Sequence, residues 1–185
     1  MRIIAGKYRG SRLVAPHLNT RPSSDRLKES LFNTLMQSCN HQIWLDLFAG
    51  SGAIALEALS RGASFVVMND QSFAAISAIK QNVKKLNVKS KCMILNLSSI
   101  QAVQLLNQQK RSFDVIFCDP PYDLDIQDVL NEIMTSFLIS DHTKIIIEQA
   151  KEHKEYVLPT EFVNIKERVV GRSVYRIYEK QGETQ

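Results

Sequence analysis

The amino-acid sequence predicts an α/β protein with a doubly wound, mainly parallel sheet, and three observations carry that prediction. Short apolar runs rich in β-branched residues alternate with helix-periodic segments across residues 43–148, the pattern of strands joined by crossover helices. Two glycines, Gly50 and Gly52, fall between the first such run and the helical segment after it. The chain then leaves the alternation: residues 162–170 and 173–179 are strand-like and meet around Gly171 and Arg172, as in an antiparallel hairpin.

Taken in order, residues 2–15 read as two short strands around Gly6 and Gly10, because Ile3, Ile4, Tyr8, Leu13 and Val14 are interleaved with basic residues. They form a small basic β-hairpin extension, residues 1–22, ahead of a main domain at 23–185. Residues 20–25 read as a loop running into a helix, with Ser24 or Asp25 as the cap. Leu27, Leu31 and Leu35 recur at helical spacing with Phe32 beside them, and Lys28 reads as an ordinary first-turn charge. Strands are expected at 43–48, 64–68, 92–95, 113–118 and 143–148, and helices at about 53–60, 72–86, 99–109 and 126–137. Lys80, Lys84, Lys85, Lys89 and Lys91 follow the apolar face Phe73, Ile76, Ile79, Val83 and Leu86, and read as a solvated helix face ending in a loop.

With 185 residues, 44% of them hydrophobic, the chain can bury one good core and a small appendage. No apolar run is long enough for a signal peptide or a membrane span, so a soluble, cytoplasmic protein is expected, and a monomer. Cys39, Cys92 and Cys118 are odd in number and far apart, and His17, His41, His142 and His153 form no paired motif. Disulfides, a metal site and a histidine-based triad are therefore not expected. The net charge of +4 is unevenly placed. Residues 1–28 carry seven bases (Arg2, Lys7, Arg9, Arg12, Arg21, Arg26, Lys28) against Asp25 alone, whereas the remainder has sixteen bases and eighteen acids. A basic segment on a slightly acidic body points to a polyanionic partner, most often nucleic acid.

Two stretches carry chemistry. In Asp46, Leu47, Phe48, Ala49, Gly50, Ser51, Gly52, the glycines let the backbone turn tightly and approach a ligand without a Cβ in the way. The loop N–H groups and the start of the next helix favour an anionic group. In Phe117, Cys118, Asp119, Pro120, Pro121, Tyr122, a buried strand ends on a carboxylate, two prolines and an aromatic ring. The prolines remove two N–H donors, which leaves carbonyl acceptors facing a planar amine. A dinucleotide site is the natural competitor, since Gly50, Gly52 and Ala55 fit a relaxed glycine fingerprint and Asp70 lies at a suitable distance downstream. It leaves Asp119 to Tyr122 without a role, however, and no separate catalytic domain follows. An adenosine-containing sulfonium cofactor accounts for both stretches.

Residues 46–52 resemble the first cofactor motif of Rossmann-like S-adenosylmethionine methyltransferases. Asp119, Pro120, Pro121 and Tyr122 resemble the Asp/Asn-Pro-Pro-Tyr/Phe motif of those that methylate exocyclic amines. Further residues are similar to the bacterial small-subunit rRNA guanine-N2 methyltransferase D family: 1–6 with Arg9 and Gly10, Arg21 to Arg26, 29–33, 45–52, 56–63 and 175–178. The resemblance implies methyl transfer to the N2 amine of one guanine in 16S rRNA, within a small ribosomal subunit or an assembly intermediate. It implies a cofactor site of Asp46, Phe48, Ala49, Gly50, Ser51, Gly52, Asp70 and Ser98, with Asp46 at the amino end of the methionine moiety. Asp119 and the Pro120 carbonyl would accept from the guanine amine and Tyr122 would stack on the base, while Arg2, Lys7, Arg9, Arg12, Arg21 and Arg26 would hold RNA. The acid that family members carry two positions before an Asp is Met68 here, which leaves either Asp70 to take the ribose or a weaker hold on the nucleoside. An N6-adenine DNA methyltransferase, a protein-amide methyltransferase and a catalytically silent RNA-binding assembly protein are the alternatives.

Overall fold

Side chains alternate across a strand, so each buried strand of a doubly wound sheet must supply apolar residues to both faces. The computed structural model describes residues 1–16, 25–35 and 39–181. In it β1 (Ile43–Asp46), β2 (Phe65–Asn69), β3 (Cys92–Leu95), β4 (Val115–Cys118) and β5 (Lys144–Ala150) pair in parallel. The antiparallel strands β6 (Phe162–Val170) and β7 (Ser173–Lys180) complete a sheet of order β3-β2-β1-β4-β5-β7-β6. Trp44, Met68 and Phe117 face one core with α1 (Asp25–Thr34), α2 (Ala53–Ser60) and α3 (Phe73–Leu86). Their strand neighbours Leu45, Val67 and Ile116 face the other core with α4 (Ser99–Gln108) and α5 (Gln127–Met134).

Local signals place the helix ends. The Ser72 hydroxyl accepts from the Ala75 amide at the start of α3, and Asn87 stops that helix in the left-handed region. Ser98 and Gln101 form a reciprocal capping box on α4. No helix among the described residues is long and apolar enough to cross a membrane.

All eight residues of α2 are buried, Glu57 included, so a second layer must cover its outer side. Residues 1–16 do this. Ile3 and Leu13 enter the same core, the Ile4 and Ala5 amides donate to the Glu57 carboxylate at 2.8 and 3.0 Å, and the Lys7 amide donates to the Ser60 carbonyl at 2.7 Å. Gly6 passes so close that a Cβ there would lie 1.8 Å from the Ser60 oxygen.

This packing alters two expectations. In place of two N-terminal strands there is a single bridge, Arg2 to Arg12, flanked by the Ile3 amide on the Ser11 carbonyl at 2.9 Å. Past it the Ile4, Ala5, Lys7 and Tyr8 amides all bond to Glu57 and Ser60 of α2. Lys28, expected in solvent, is fully buried: its ammonium donates to the Arg2 carbonyl and pairs with Asp25 at 3.4 Å. Burial holds its pKa below the usual lysine value, against the raising influence of Glu57 and Asp25. The Ser24 cap and the 22/23 boundary lie outside the described residues.

Glu57 is thus a hub, fully buried with Arg61 on it at 2.8 Å. Glu57→Ala strands two amides and a guanidinium, and the expected loss is about 3 kcal/mol or more in urea unfolding, with residues 1–16 becoming protease-sensitive. A loss under about 1 kcal/mol would mean that the segment is held without help from the Glu57 carboxylate.

Candidate active site

The parallel register sets Asp46 of β1 opposite Phe117 of β4 and Met68 of β2, so the exits of these strands open at one end of the sheet. Strand order reverses direction between β1 and β4, the place where an open sheet parts into a crevice.

On the β1 side, Asp46 is 1% exposed, and neither carboxylate oxygen has a hydrogen-bond partner. Burial pushes its pKa up to about 7. The nearby Ala55 and Phe48 amides, outside good hydrogen-bonding geometry, oppose the shift, and the charge of Asp70 adds to it. Past Asp46 the chain turns on two left-handed glycines. At Gly52 (φ +76°) a Cβ would meet the Met68 sulfur at 2.8 Å, whereas at Gly50 (φ +56°) it would project into open space. The loop amides are spent within the protein: Ala49 donates to the Asn69 carbonyl, Gly50 to the Asp70 carboxylate and Gly52 to the Ala49 carbonyl. Three amides of the expected anion cradle are therefore already used, and Gly50 offers a bare backbone surface.

Ala49 and Ser51 are buried and Phe48 is half-buried against the second core. Met68 lies inside β2 beneath Gly52, so the carboxylate at the strand exit is that of Asp70. Its two oxygens accept from the Gly50 and Ser72 amides at 2.8 Å each. Asn69 donates to the Leu47 and Leu97 carbonyls, which ties together the loops after β1 and β3. The Ser98 hydroxyl is committed to Gln101 in the α4 capping box.

On the β4 side, Asp119 is half-buried, Pro120 is buried and the Tyr122 ring is 40% exposed. The Tyr122 hydroxyl lies 3.2 Å from that of Ser173, and His153 meets the ring edge-on at 6.3 Å. Burial raises the Cys118 thiol far above its ordinary range, and the Asp46 and Asp119 charges add to this, so it is no nucleophile.

The structure brings Asp46, Gly50, Gly52, Asp70, Asp119, Pro120 and Tyr122 to one end of the sheet. Arg2, Lys7, Arg9, Arg12 and Arg26 are exposed elsewhere, on the N-terminal segment and α1, with Arg2 loosely paired to Asp25 at 3.6 Å. Arg21 lies outside the described residues. Sequence reasoning missed Asn82. Buried in α3, its side chain accepts from the Val14 amide and donates to the Val14 and Ser51 carbonyls, bolting the N-terminal segment to the glycine loop. Its one signal was an amide side chain on the apolar face between Ile79 and Val83.

The sheet order and the two-sided crevice are those of the Rossmann-like methyltransferase fold. A solved S-adenosylmethionine-dependent methyltransferase from Agrobacterium tumefaciens shares the fold at TM-score 0.64 and 16% identity, over 89% of this chain and 64% of that one. Similarity is much higher to a hypothetical protein of Thermus thermophilus, with TM-score 0.83 and 29% identity over 97% and 99% of the two chains. The chain is 34% identical to ribosomal RNA small subunit methyltransferase D of Haemophilus influenzae, over 97% of this chain and 93% of that protein. It is 29% identical to the Escherichia coli protein of the same name, over 99% and 91%. The chain belongs to this family, whose profile, described as "Conserved hypothetical protein 95", matches residues 1–179.

The raised pKa of Asp46 has a stability consequence with a definite sign. A carboxylate that prefers to be protonated when folded costs nothing below its unfolded pKa near 3.8, costs increasingly as pH rises from there to about 7, and costs a constant amount above that. In the ligand-free protein, Asp46→Asn is expected to raise stability at pH 8, by at most about 4 kcal/mol, with the gain shrinking toward pH 4. Urea unfolding across that range checks it; a pH-independent difference would contradict the buried, unpartnered state.

Proposed function

We propose that this protein transfers a methyl group from S-adenosylmethionine to the exocyclic N2 amine of a guanine in small-subunit (16S) rRNA. The observation that carries the reading is the pairing of two strand exits on one crevice. One bears a buried carboxylate without a partner beside an open glycine; the other bears Asp119, two prolines and an exposed ring. The relatives named as small-subunit rRNA methyltransferases support the RNA substrate, because the match runs through the basic N-terminal segment as well as the sheet.

The residues present fit the cofactor. Bound there, S-adenosylmethionine supplies an electrophilic methyl group on a positively charged sulfur. The orphaned Asp46 carboxylate is suited to an ammonium group, which would draw its pKa back down and release a proton near neutral pH. Gly50 lets the ligand lie against the main chain, and Asp70 has lone pairs left for ribose hydroxyls beyond the two it gives to amides.

On the acceptor side, a guanine N2 lone pair is delocalised into the ring and poorly nucleophilic. Asp119 and the Pro120 carbonyl accept hydrogen bonds from the two amine N–H groups, which turns that lone pair toward the mouth of the glycine loop, and the one proton lost as the nitrogen takes the methyl group leaves by way of the Asp119 carboxylate to solvent. Tyr122 stacks on the base, its ring steadied by Ser173. Catalysis of this kind comes from positioning and charge placement, with no covalent enzyme intermediate. The base must leave its stack to enter, which loops and unpaired segments permit most easily. Arg2, Lys7, Arg9, Arg12 and Arg26, away from the crevice, hold phosphates of the same RNA, with Arg21 as a further candidate. The protein works as a monomer in the cytoplasm, on a small subunit or an assembly intermediate.

Asp119→Ala is expected to lower kcat for rRNA methylation by about 10²-fold or more while S-adenosylmethionine affinity stays within about twofold of wild type. Parallel loss of both, in calorimetry and in a methyl-transfer assay, would make Asp119 a structural residue.

A further inference from the structure

Charge is segregated beyond the N-terminal segment. Between Asp70 and Asp114 the sequence has no acidic residue and seven bases, and five of these, Lys80, Lys84, Lys85, Lys89 and Lys91, stand exposed on α3 and the turn after it. The fold sets them beside the other basic block. The Lys85 ammonium donates to the Arg12 carbonyl at 2.7 Å, and Asn82 one turn earlier holds both polar groups of Val14. The ion pairs of the described residues involve none of these five lysines, nor Lys7, Arg9 or Arg12. A cluster of like charges without internal counter-charge repels itself, and a polyanion relieves that repulsion.

Its position is as informative as its sign. α3 runs opposite to the parallel strands it connects, so it starts beside the crevice and ends at the far end of the sheet. Its 14 residues span about 21 Å. Lys84, Lys85, Lys89 and Lys91 therefore lie near the helix end remote from Asp46 and Asp119. The turn carrying Lys7 and Arg9 is at that end too, on the last residue of α2.

We propose that the exposed face of α3 and the turn after it, continuous with the N-terminal segment, is a phosphate rail that anchors structured RNA outside the crevice, past the point where Asn82 touches the glycine loop. This rests on the reading of RNA as substrate and deepens it: the rail grips sugar-phosphate backbone remote from the target base, so it sets affinity for long RNA and carries no sequence information. Short strands that fill only the crevice never reach it.

The test compares wild type with a variant carrying K80Q, K84Q, K89Q and K91Q, four exposed side chains, and with the matching four-fold Lys→Arg variant. Each is titrated with deproteinised 16S rRNA and with a tetranucleotide, about 14 Å long when stacked. The Gln variant is expected to bind long RNA at least tenfold more weakly at about 0.15 M salt, with a salt slope shallower by about 2 to 3. Its tetranucleotide and S-adenosylmethionine affinities should stay within twofold of wild type, and the Arg variant should match wild type throughout. An unchanged slope with 16S rRNA, or equal loss for both RNA lengths, overturns the rail while leaving the methyltransferase reading intact. A wild-type protein that binds S-adenosylmethionine but neither deproteinised 16S rRNA nor intact small ribosomal subunits would fell the RNA reading and the rail together.

Discussion

The parallel pairing of β1 with β4, Asp46 opposite Phe117, is the constraint on which the rest depends. It is the only arrangement in which the carboxylate ending one strand and the Asp-Pro-Pro-Tyr run leaving the other share a crevice. A slip of one residue would send Asp46 to the second core, where Leu45 now packs, and turn Trp44 away from Phe32, on which it stacks at 5.5 Å. The apolar alternation of both strands therefore protects the chemistry: the residues that hold the register are those that bury the two cores.

A second layer of organisation comes from buried polar groups. Glu57, Asn82 and Lys28 each sit in a helix and each spend their hydrogen bonds on the backbone of residues 1–16. Partnered groups of this kind add little net stability compared with an apolar contact, but they specify one docking geometry, because any other leaves a buried charge or amide unsatisfied. The N-terminal segment is thereby part of the same solid body as the glycine loop, with Asn82 bonded to both. Basic side chains on a segment so fixed form a surface of defined shape, where a loose tail would offer only charge.

Much of the fold could be read from the chain because its signals are local: strand runs of β-branched residues, glycines between β1 and α2, a hairpin around Gly171. The departures have non-local causes. Lys28 looked like a surface charge because nothing nearby in sequence announces the Arg2 carbonyl that receives it. The N-terminal pairing stops at one bridge, and the residues after it bond to Glu57 and Ser60, some fifty residues on. In the site, Asp46, the glycines and the Asp119 stretch were legible from residue type and spacing. That Asp46 has no partner, that Met68 faces inward, and that the Ser98 hydroxyl belongs to a helix cap depend on register and burial, which spacing alone does not reveal.

The central claim is that one guanine amine of small-subunit rRNA receives a methyl group in this crevice. The most direct measurement is to incubate the full chain and methyl-labelled S-adenosylmethionine with unmodified small ribosomal subunits, and to map the label by nucleoside analysis. The account predicts label at a single position, as N2-methylguanosine. Label on adenine N6 or on ribosomal protein, or no transfer despite cofactor binding, would contradict it.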